Sequence, residues 1–271
     1  MYKAKKSLGQ NFLKSNKAIN DMLLAGNINK NDTVLEIGPG KGILTKALLE
    51  KAGKVIAIEK DKDLILILNE VFKKEIKNGK LELVEGDVLE LPLNHHPAFQ
   101  APLLKKEGKI QYKLIANIPY YITGAIFQKF LENEFQPETM VLLVQKEVAQ
   151  RIACDKKESI LSLSVKAYGI PKYISTVSKR YFSPSPKVDS AILAINNISR
   201  KNFKNKKQEV KFFTLIKNSF AHKRKQLAGN LREKGYENDW IEKIFEKFKL
   251  KKDIRAEDVH IDMWIDIANE L

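Results

Sequence analysis

Short apolar runs alternate with segments of helical apolar period over the first two thirds of the chain. The runs at 34–37, 55–58, 81–84, 113–116 and 140–144 are short and rich in branched residues, and read as strands buried on both faces. Between them, 44–52 and 62–74 repeat apolar residues at helical spacing. Strands separated by helices imply βαβ crossovers, hence a mostly parallel sheet with helices on both sides. Two later runs, 173–178 and 188–195, follow one another without an obvious helix and suit an antiparallel hairpin at the sheet edge. The turn Ser183-Pro184-Ser185-Pro186 between them can be neither helix nor central strand. The expectation is an α/β fold with a mostly parallel seven-stranded sheet and an antiparallel edge strand.

Around 196–208 the chain turns to Asn, Lys and Ser, the composition of a linker. Beyond it, 210–220, 223–234, 239–248 and 263–271 all read as helix. The expected division is an α/β domain over 1–197 and a small all-helical domain over 205–271. The segment 92–111 reads as a loop or short insertion, and no internal repeat is present.

Composition narrows the function. Hydrophobic residues make up 44% and charged residues 30%, as in an ordinary globular protein. No run approaches the ~18 apolar residues of a spanning helix, and residues 1–10 carry no apolar signal core, so neither a membrane nor secretion is expected. A single cysteine, Cys154, excludes an internal disulfide framework and fits a reducing cytoplasm. It also leaves no thiolate cluster for zinc, and adjacent His95 and His96 point apart, so no metal is expected. With 48 Lys plus Arg against 33 Asp plus Glu, the net charge of +15 points to a polyanionic partner, nucleic acid being the commonest.

The segment Val34-Leu35-Glu36-Ile37-Gly38-Pro39-Gly40-Lys41-Gly42 is a strand entering a Gly-rich turn. Glycines there permit positive φ and close approach of backbone to a ligand. Glu59 ends the next strand, about twenty residues on, where a carboxylate accepts hydrogen bonds from ribose hydroxyls. A dinucleotide site requires G-x-G-x-x-G with pyrophosphate on the helix N-terminus, but counting from Gly38 the third position is Ile43. The pattern E-x-G-x-G-x-G suits a nucleoside with an amino-acid tail instead. Asp87 ends the third strand and is placed to accept from an adenine amine; a turn or helix-cap aspartate is its plainer reading. Gly38, Gly40, Glu59 and Asp87 all fall at C-terminal strand ends, where open α/β sheets bind ligands.

Asn117-Ile118-Pro119-Tyr120 closes the fourth strand. It has the form of the Asn-x-Pro-aromatic motif of exocyclic-amine methylation. An adenine N6 is a poor nucleophile because its lone pair is delocalised into the ring. The Asn117 side-chain oxygen and the Ile118 carbonyl can accept the two N6 hydrogens and so turn that lone pair toward an activated methyl group. Pro119 stiffens the turn, and Tyr120 offers a face for stacking an extruded base, worth about 1–3 kcal/mol. Such transfer needs positioning rather than a strong base or a metal.

On these residues the chain resembles the KsgA-type ribosomal RNA adenine dimethyltransferases over its whole length. Ser7-Leu8-Gly9-Gln10-Asn11-Phe12-Leu13 is similar to that family's opening signature, which implies Gln10, Asn11 and Leu13 near bound S-adenosylmethionine, with Asn117 completing the site. Gln145-Lys146-Glu147-Val148-Ala149 with Arg151 resembles the family segment after the fifth strand. The run Phe182-Ser183-Pro184-Ser185-Pro186-Lys187-Val188-Asp189-Ser190 resembles its target loop, which implies that Phe182 sandwiches the target base opposite Tyr120. His222-Lys223-Arg224-Lys225-Gln226-Leu227 resembles the basic helix of its C-terminal domain, implying RNA contacts from Lys223, Arg224 and Lys225, with Lys187 added from the loop. His222 and Gln226 depart from that pattern, as does the long 92–111 segment.

The resemblance implies a Rossmann-like class I methyltransferase fold. It further implies dimethylation of adjacent adenosines near the 3′ end of small-subunit (16S) rRNA, a part in small-subunit assembly, and a cytoplasmic protein that need be no more than a monomer. The large-subunit resistance relative, which shares the cofactor site and Asn-Ile-Pro-Tyr, is the nearest alternative. A non-catalytic RNA-binding assembly factor is the alternative from another class.

Overall fold

The computed structural model describes residues 2–92, 104–106 and 109–271. His95 and His96 lie outside the described residues, as does most of the loop expected at 92–111. Its described part holds two short antiparallel strands, β5 (Leu104–Lys106) and β6 (Lys109–Ile110). Contacts divide the chain into two units, Met1–Ala149 with Pro171–Ile198, and Gln150–Ile170 with Ser199–Leu271. The second unit takes in 150–170, a stretch that the expected 197–205 boundary leaves with the sheet.

The first unit is built on seven strands: β2 (Thr33–Ile37), β3 (Lys54–Glu59), β4 (Leu81–Glu85), β7 (Lys113–Asn117), β8 (Thr139–Gln145), β9 (Ile170–Val177) and β11 (Ser190–Asn196). Their order is β4-β3-β2-β7-β8-β11-β9. The first five are parallel, and β11 runs antiparallel to β8 with Ala191 opposite Val144. The antiparallel strand therefore sits one place in from the edge, and β9 takes the edge itself. Val34, Leu35, Val55, Ile56, Leu114, Ile115 and residues 140–144 are all at most 1% exposed, as strands covered on both faces must be. Helices α1 (Asn16–Ala25), α2 (Ile43–Lys51), α3 (Lys62–Val71), α4 (Lys73–Lys77) and α5 (Thr123–Leu131) lie in the same unit. Ser15 and Asp61 cap α1 and α3 by accepting the N–H groups of Ala18 and Asp63.

Strand β2 lies between β3 and β7, so crossovers leave it in opposite directions and a crevice opens at its C-terminal end. Two further strands of two residues each, β1 (Phe12–Leu13) and β10 (Phe182–Ser183), pair antiparallel with Leu13 opposite Phe182. They fasten the end of a strap, residues 2–13, beside that crevice.

The second unit holds α7 (Ile160–Lys166), α8 (Lys206–Ser219), α9 (Leu227–Glu233), α10 (Asn238–Lys247) and α11 (Ile261–Asn269), after α6 (Lys146–Ala153), which spans the boundary. Phe212, Leu215, Ile216, Leu227, Leu231, Ile244, Trp264 and Ile267 are fully buried and form its core. The basic run His222 to Gln226, expected as helix, is a turn between α8 and α9. The cause is Asn230. Its buried amide donates to the carbonyls of Ser219 (2.7 Å) and His222 (3.2 Å), holding the chain in a bend that ends α8.

Candidate cofactor and base site

One pocket gathers the strap and the strand ends. Its lining includes Gln10, Asn11, Leu13, Glu36, Gly38, Gly40, Glu59, Asp87, Asn117, Ile118, Pro119 and Tyr120. The Gly-rich turn explains itself locally. Gly38 has φ +66°, and a Cβ there would meet nothing within 4 Å, so it would project into the open pocket. Gly40 has φ +59°, and a Cβ would come within 2.9 Å of the Phe12 ring, which the strap lays against the turn. Lys41 extends over that ring, 5.1 Å from its centre.

Three carboxylates face the pocket, each in a different state. Glu59 Oε1 accepts from the Asp61 N–H (2.9 Å) and Oε2 from the Gly40 N–H (3.2 Å), so both oxygens are aimed and each keeps acceptor capacity. Burial raises its pKa, against those two hydrogen bonds. Asp87 accepts from Lys60 Nζ (2.7 Å) and the Leu89 N–H (2.9 Å); together these outweigh partial burial and lower its pKa. Glu36 is 1% exposed and its Oε2 has no hydrogen-bond partner. Burial, with Glu59 nearby, pushes its carboxyl up to about 8. The sequence reading passed over Glu36, although it opens the E-x-G-x-G-x-G pattern.

These groups fit S-adenosylmethionine. The lining is rich in acceptors for ribose hydroxyls, an adenine amine and an ammonium group, and an unsatisfied buried carboxyl oxygen awaits a donor. A pocket faced by Glu36, Glu59 and Asp87 is a poor cradle for pyrophosphate, which wants basic or N–H donors.

Beside the carboxylates stands the motif expected to hold the target amine. Asn117 ends β7, and its Nδ2 donates to the Asn11 carbonyl of the strap (3.0 Å). That bond fixes which way the amide faces and leaves Oδ1 for another donor. The Tyr120 hydroxyl and the fully buried Ser190 Oγ are 2.6 Å apart, tying the Asn-Ile-Pro-Tyr turn to the start of β11. Burial raises the Tyr120 pKa. Tyr121, which the sequence did not single out, is 66% exposed at the rim and packs against Gly9.

Phe182 is not among the residues that line this pocket. It is 4% exposed, pairs through β10 with Leu13, and joins the core cluster containing Leu13, Ile19 and Val177. The physical reason is the β1–β10 ladder, which turns its side chain inward beneath the strap. The Gln10 side chain is also committed elsewhere, donating to Asp61 Oδ2 (2.9 Å) and accepting from the Lys5 N–H (2.7 Å). Lys187 is exposed on the loop before β11. In the second unit Lys223 and Arg224 are exposed, whereas Lys225 and His222 both bond Glu233 at 2.7 Å.

Comparison with known proteins gives the same picture. The sequence profile described as Ribosomal RNA adenine dimethylase matches residues 1–271. Ribosomal RNA small subunit methyltransferase A of Fusobacterium nucleatum is 38% identical, over 98% of this chain and 97% of that protein. The protein of the same name from Dehalococcoides mccartyi is 37% identical, over 97% of this chain and 86% of its own length. Among solved structures, a dimethyladenosine transferase from Plasmodium falciparum superposes with TM-score 0.74 at 25% identity, over 94% of this chain and 95% of that one. The 23S rRNA methyltransferase ErmE superposes with TM-score 0.76 at 24% identity, over 96% and 99%, a likeness of fold.

Proposed function

From the premise that this chain belongs to the ribosomal RNA adenine dimethylase family, we propose that it dimethylates the N6 amines of adjacent adenosines near the 3′ end of small-subunit rRNA, using S-adenosylmethionine. The observation that carries the reading is the meeting in one pocket of Glu36, Glu59 and Asp87 with an Asn117 amide already turned by its bond to Asn11. The relatives named for the small subunit, matched nearly end to end, support the choice of RNA.

Bound S-adenosylmethionine supplies an activated methyl group on sulfur, so the protein needs neither a metal nor a strong base. Glu59 would accept the ribose hydroxyls, Asp87 the adenine amine and Glu36 the ammonium group of the amino-acid tail. Asn117 Oδ1 and the Ile118 carbonyl would accept the N6 hydrogens, two before the first transfer and one before the second, and orient the lone pair. Each transfer would form the N–C bond as the sulfur–methyl bond breaks, leaving S-adenosylhomocysteine, with the displaced N6 proton passing to water. Tyr120, steadied by Ser190, gives the extruded base a stacking face. Holding these parts in place supplies most of the rate enhancement. Lys187, Lys223 and Arg224 serve the RNA phosphates, with the domain over 205–271 as the RNA-binding part. With one chain lining the whole pocket and a ribosomal substrate, the enzyme works as a cytoplasmic monomer that also takes part in small-subunit assembly.

The test uses purified protein, methyl-labelled S-adenosylmethionine, and unmethylated small and large subunits in separate reactions, with digestion to nucleosides and mass spectrometry. Dimethyladenosine from the small subunit alone is expected. Product from the large subunit alone would move the protein to the resistance class, and no product despite cofactor binding would leave a binding role.

A further inference from the structure

The Asp61 carboxylate receives more than a helix cap requires. Capping α3 uses one donor, the Asp63 N–H at 3.0 Å from Oδ1. Three more come from the strap. Lys5 Nζ lies 2.6 Å from Oδ1, Gln10 Nε2 lies 2.9 Å from Oδ2, and the Tyr2 hydroxyl lies 2.5 Å from Oδ2. The hydroxyl, with one proton to give, also sits 2.7 Å from Gln10 Oε1, which takes the Lys5 N–H. A carboxylate has about four acceptor sites, so this one is filled, and its side chain has no exposure at all. The Asp61 N–H meanwhile holds Glu59 Oε1.

The strap pinned there continues straight into the reaction site. One residue past Gln10, the Asn11 carbonyl holds the Asn117 amide; the next residue, Phe12, covers Gly40 and enters the β1–β10 pair. Asn11 is therefore stretched between two fastenings, the Asp61 cluster on one side and a two-residue ladder on the other. The ladder, with Leu13 and Phe182 in the core and the Lys14 N–H on the Tyr181 carbonyl (2.8 Å), holds the far side, and the cluster is what holds the near side and so sets where the Asn11 carbonyl stands between them.

We propose that Asp61 is a positioning residue for methyl transfer, acting through the strap: its bonds to Tyr2, Lys5 and Gln10 set the Asn11 carbonyl, which sets the Asn117 amide. The strap is thus more than a cover on the cofactor, because closing it also completes the acceptor that orients the target amine. This deepens the reading given under Proposed function and rests on Asn117 holding that amine.

The test leaves Asp61, its helix cap and its bond to Glu59 untouched and loosens the strap side with Tyr2→Phe and Lys5→Met together. The first keeps the ring against Phe12 and the second keeps the aliphatic stem. Two readouts are taken. In selectively labelled protein without donor or RNA, the Asn117 side-chain amide signal, identified by its loss in Asn117→Asp, should exchange with solvent about tenfold faster in the double variant. With donor and RNA both saturating, the single-turnover transfer rate should fall about tenfold. Lys5→Arg with Tyr2 intact should restore most of both. A cover acting on cofactor retention alone would weaken cofactor binding and leave the saturated rate and the amide signal unchanged, which would overturn the proposal. A slower rate with an unmoved amide signal, or a moved signal with full rate, would overturn it as well. The amide signal is read without substrates, so it judges the strap even if wild-type protein transferred no methyl group, an outcome that would sink the proposed function instead.

Discussion

Replacing Glu36 by glutamine should stabilise the ligand-free protein at high pH while weakening its hold on S-adenosylmethionine. Burial lifts the Glu36 carboxyl from an ordinary 4.5 to about 8. Folding therefore favours the neutral form: its contribution to stability is full below about pH 4.5 and is lost as pH rises through about 8. At 1.36 kcal/mol per pKa unit, a rise from 4.5 to about 8 sets an upper limit of about 5 kcal/mol. The carboxyl borders the pocket, where water can approach one side, so about 2 kcal/mol is the expected effect. Glutamine keeps the shape and cannot titrate. Its buried amide carries a penalty of its own, but one that does not change with pH. Urea unfolding of both proteins at pH 5 and pH 8.5 isolates the titration of Glu36 together with its coupling to Glu59, since groups that do not interact with Glu36 cancel in the difference. The stability of Glu36→Gln relative to wild type should grow by about 2 kcal/mol over that interval. A difference that stays flat, or grows in favour of glutamate, would refute the account of a carboxyl held unpaired for a ligand. Cofactor affinity, measured by calorimetry, should fall in the same variant, the combination expected of a strained functional acid.

Three other expectations follow from the same geometry. Asn117→Ala should cut kcat by about a hundredfold or more while cofactor affinity stays close to wild type, whereas Glu59→Ala should mainly weaken the cofactor, by about tenfold or more; equal losses of binding on titration would break the division of roles. Gly38→Ala, at φ +66° and with open pocket beyond the new methyl, should cost about 1–2 kcal/mol of stability but most of the cofactor affinity, as thermal melts with and without S-adenosylmethionine would show. Phe182→Ala should lower stability by about 3–5 kcal/mol, because the ring is core; a normal melting curve with a selective loss of RNA methylation would return Phe182 to the base site.

The middle of the sheet was legible because its strands are buried on both faces, and such strands show as uninterrupted apolar runs with glycines and acids at their C-terminal ends. That one regularity placed Gly38, Glu59, Asp87 and Asn117 together before any contact was known. What stayed hidden depends on pairings between distant segments. Phe182 on its own reads as core or edge-strand packing, and only the family resemblance makes it a base platform; the pairing of two residues of β10 with two of β1, which no local pattern announces, is what puts it in the core cluster. The basic run at 222–226 has helical composition, but a single buried amide, Asn230, bends it. Tyr2, Lys5 and Gln10 are ordinary polar residues with no period that connects them to Asp61.

The electrostatics of the chain divide along the same lines as its chemistry. The net charge is +15, yet the pocket-facing carboxylates Glu36, Glu59 and Asp87 outnumber the cations that engage them. An acceptor-rich pocket inside a basic protein separates two tasks that a single field would confuse. Phosphates are drawn to exposed lysines and arginines, where attraction is long-ranged and salt-sensitive. A cationic, donor-rich cofactor is drawn to buried acceptors, where burial shields the attraction from salt, and the Lys60 that lines the pocket is paired with Asp87. The Asn117 amide stands beside those acceptors, its nitrogen taken by the Asn11 carbonyl of the strap and its oxygen left for another donor, so under the proposed function the group that receives the target amine is held by the N-terminal strap itself.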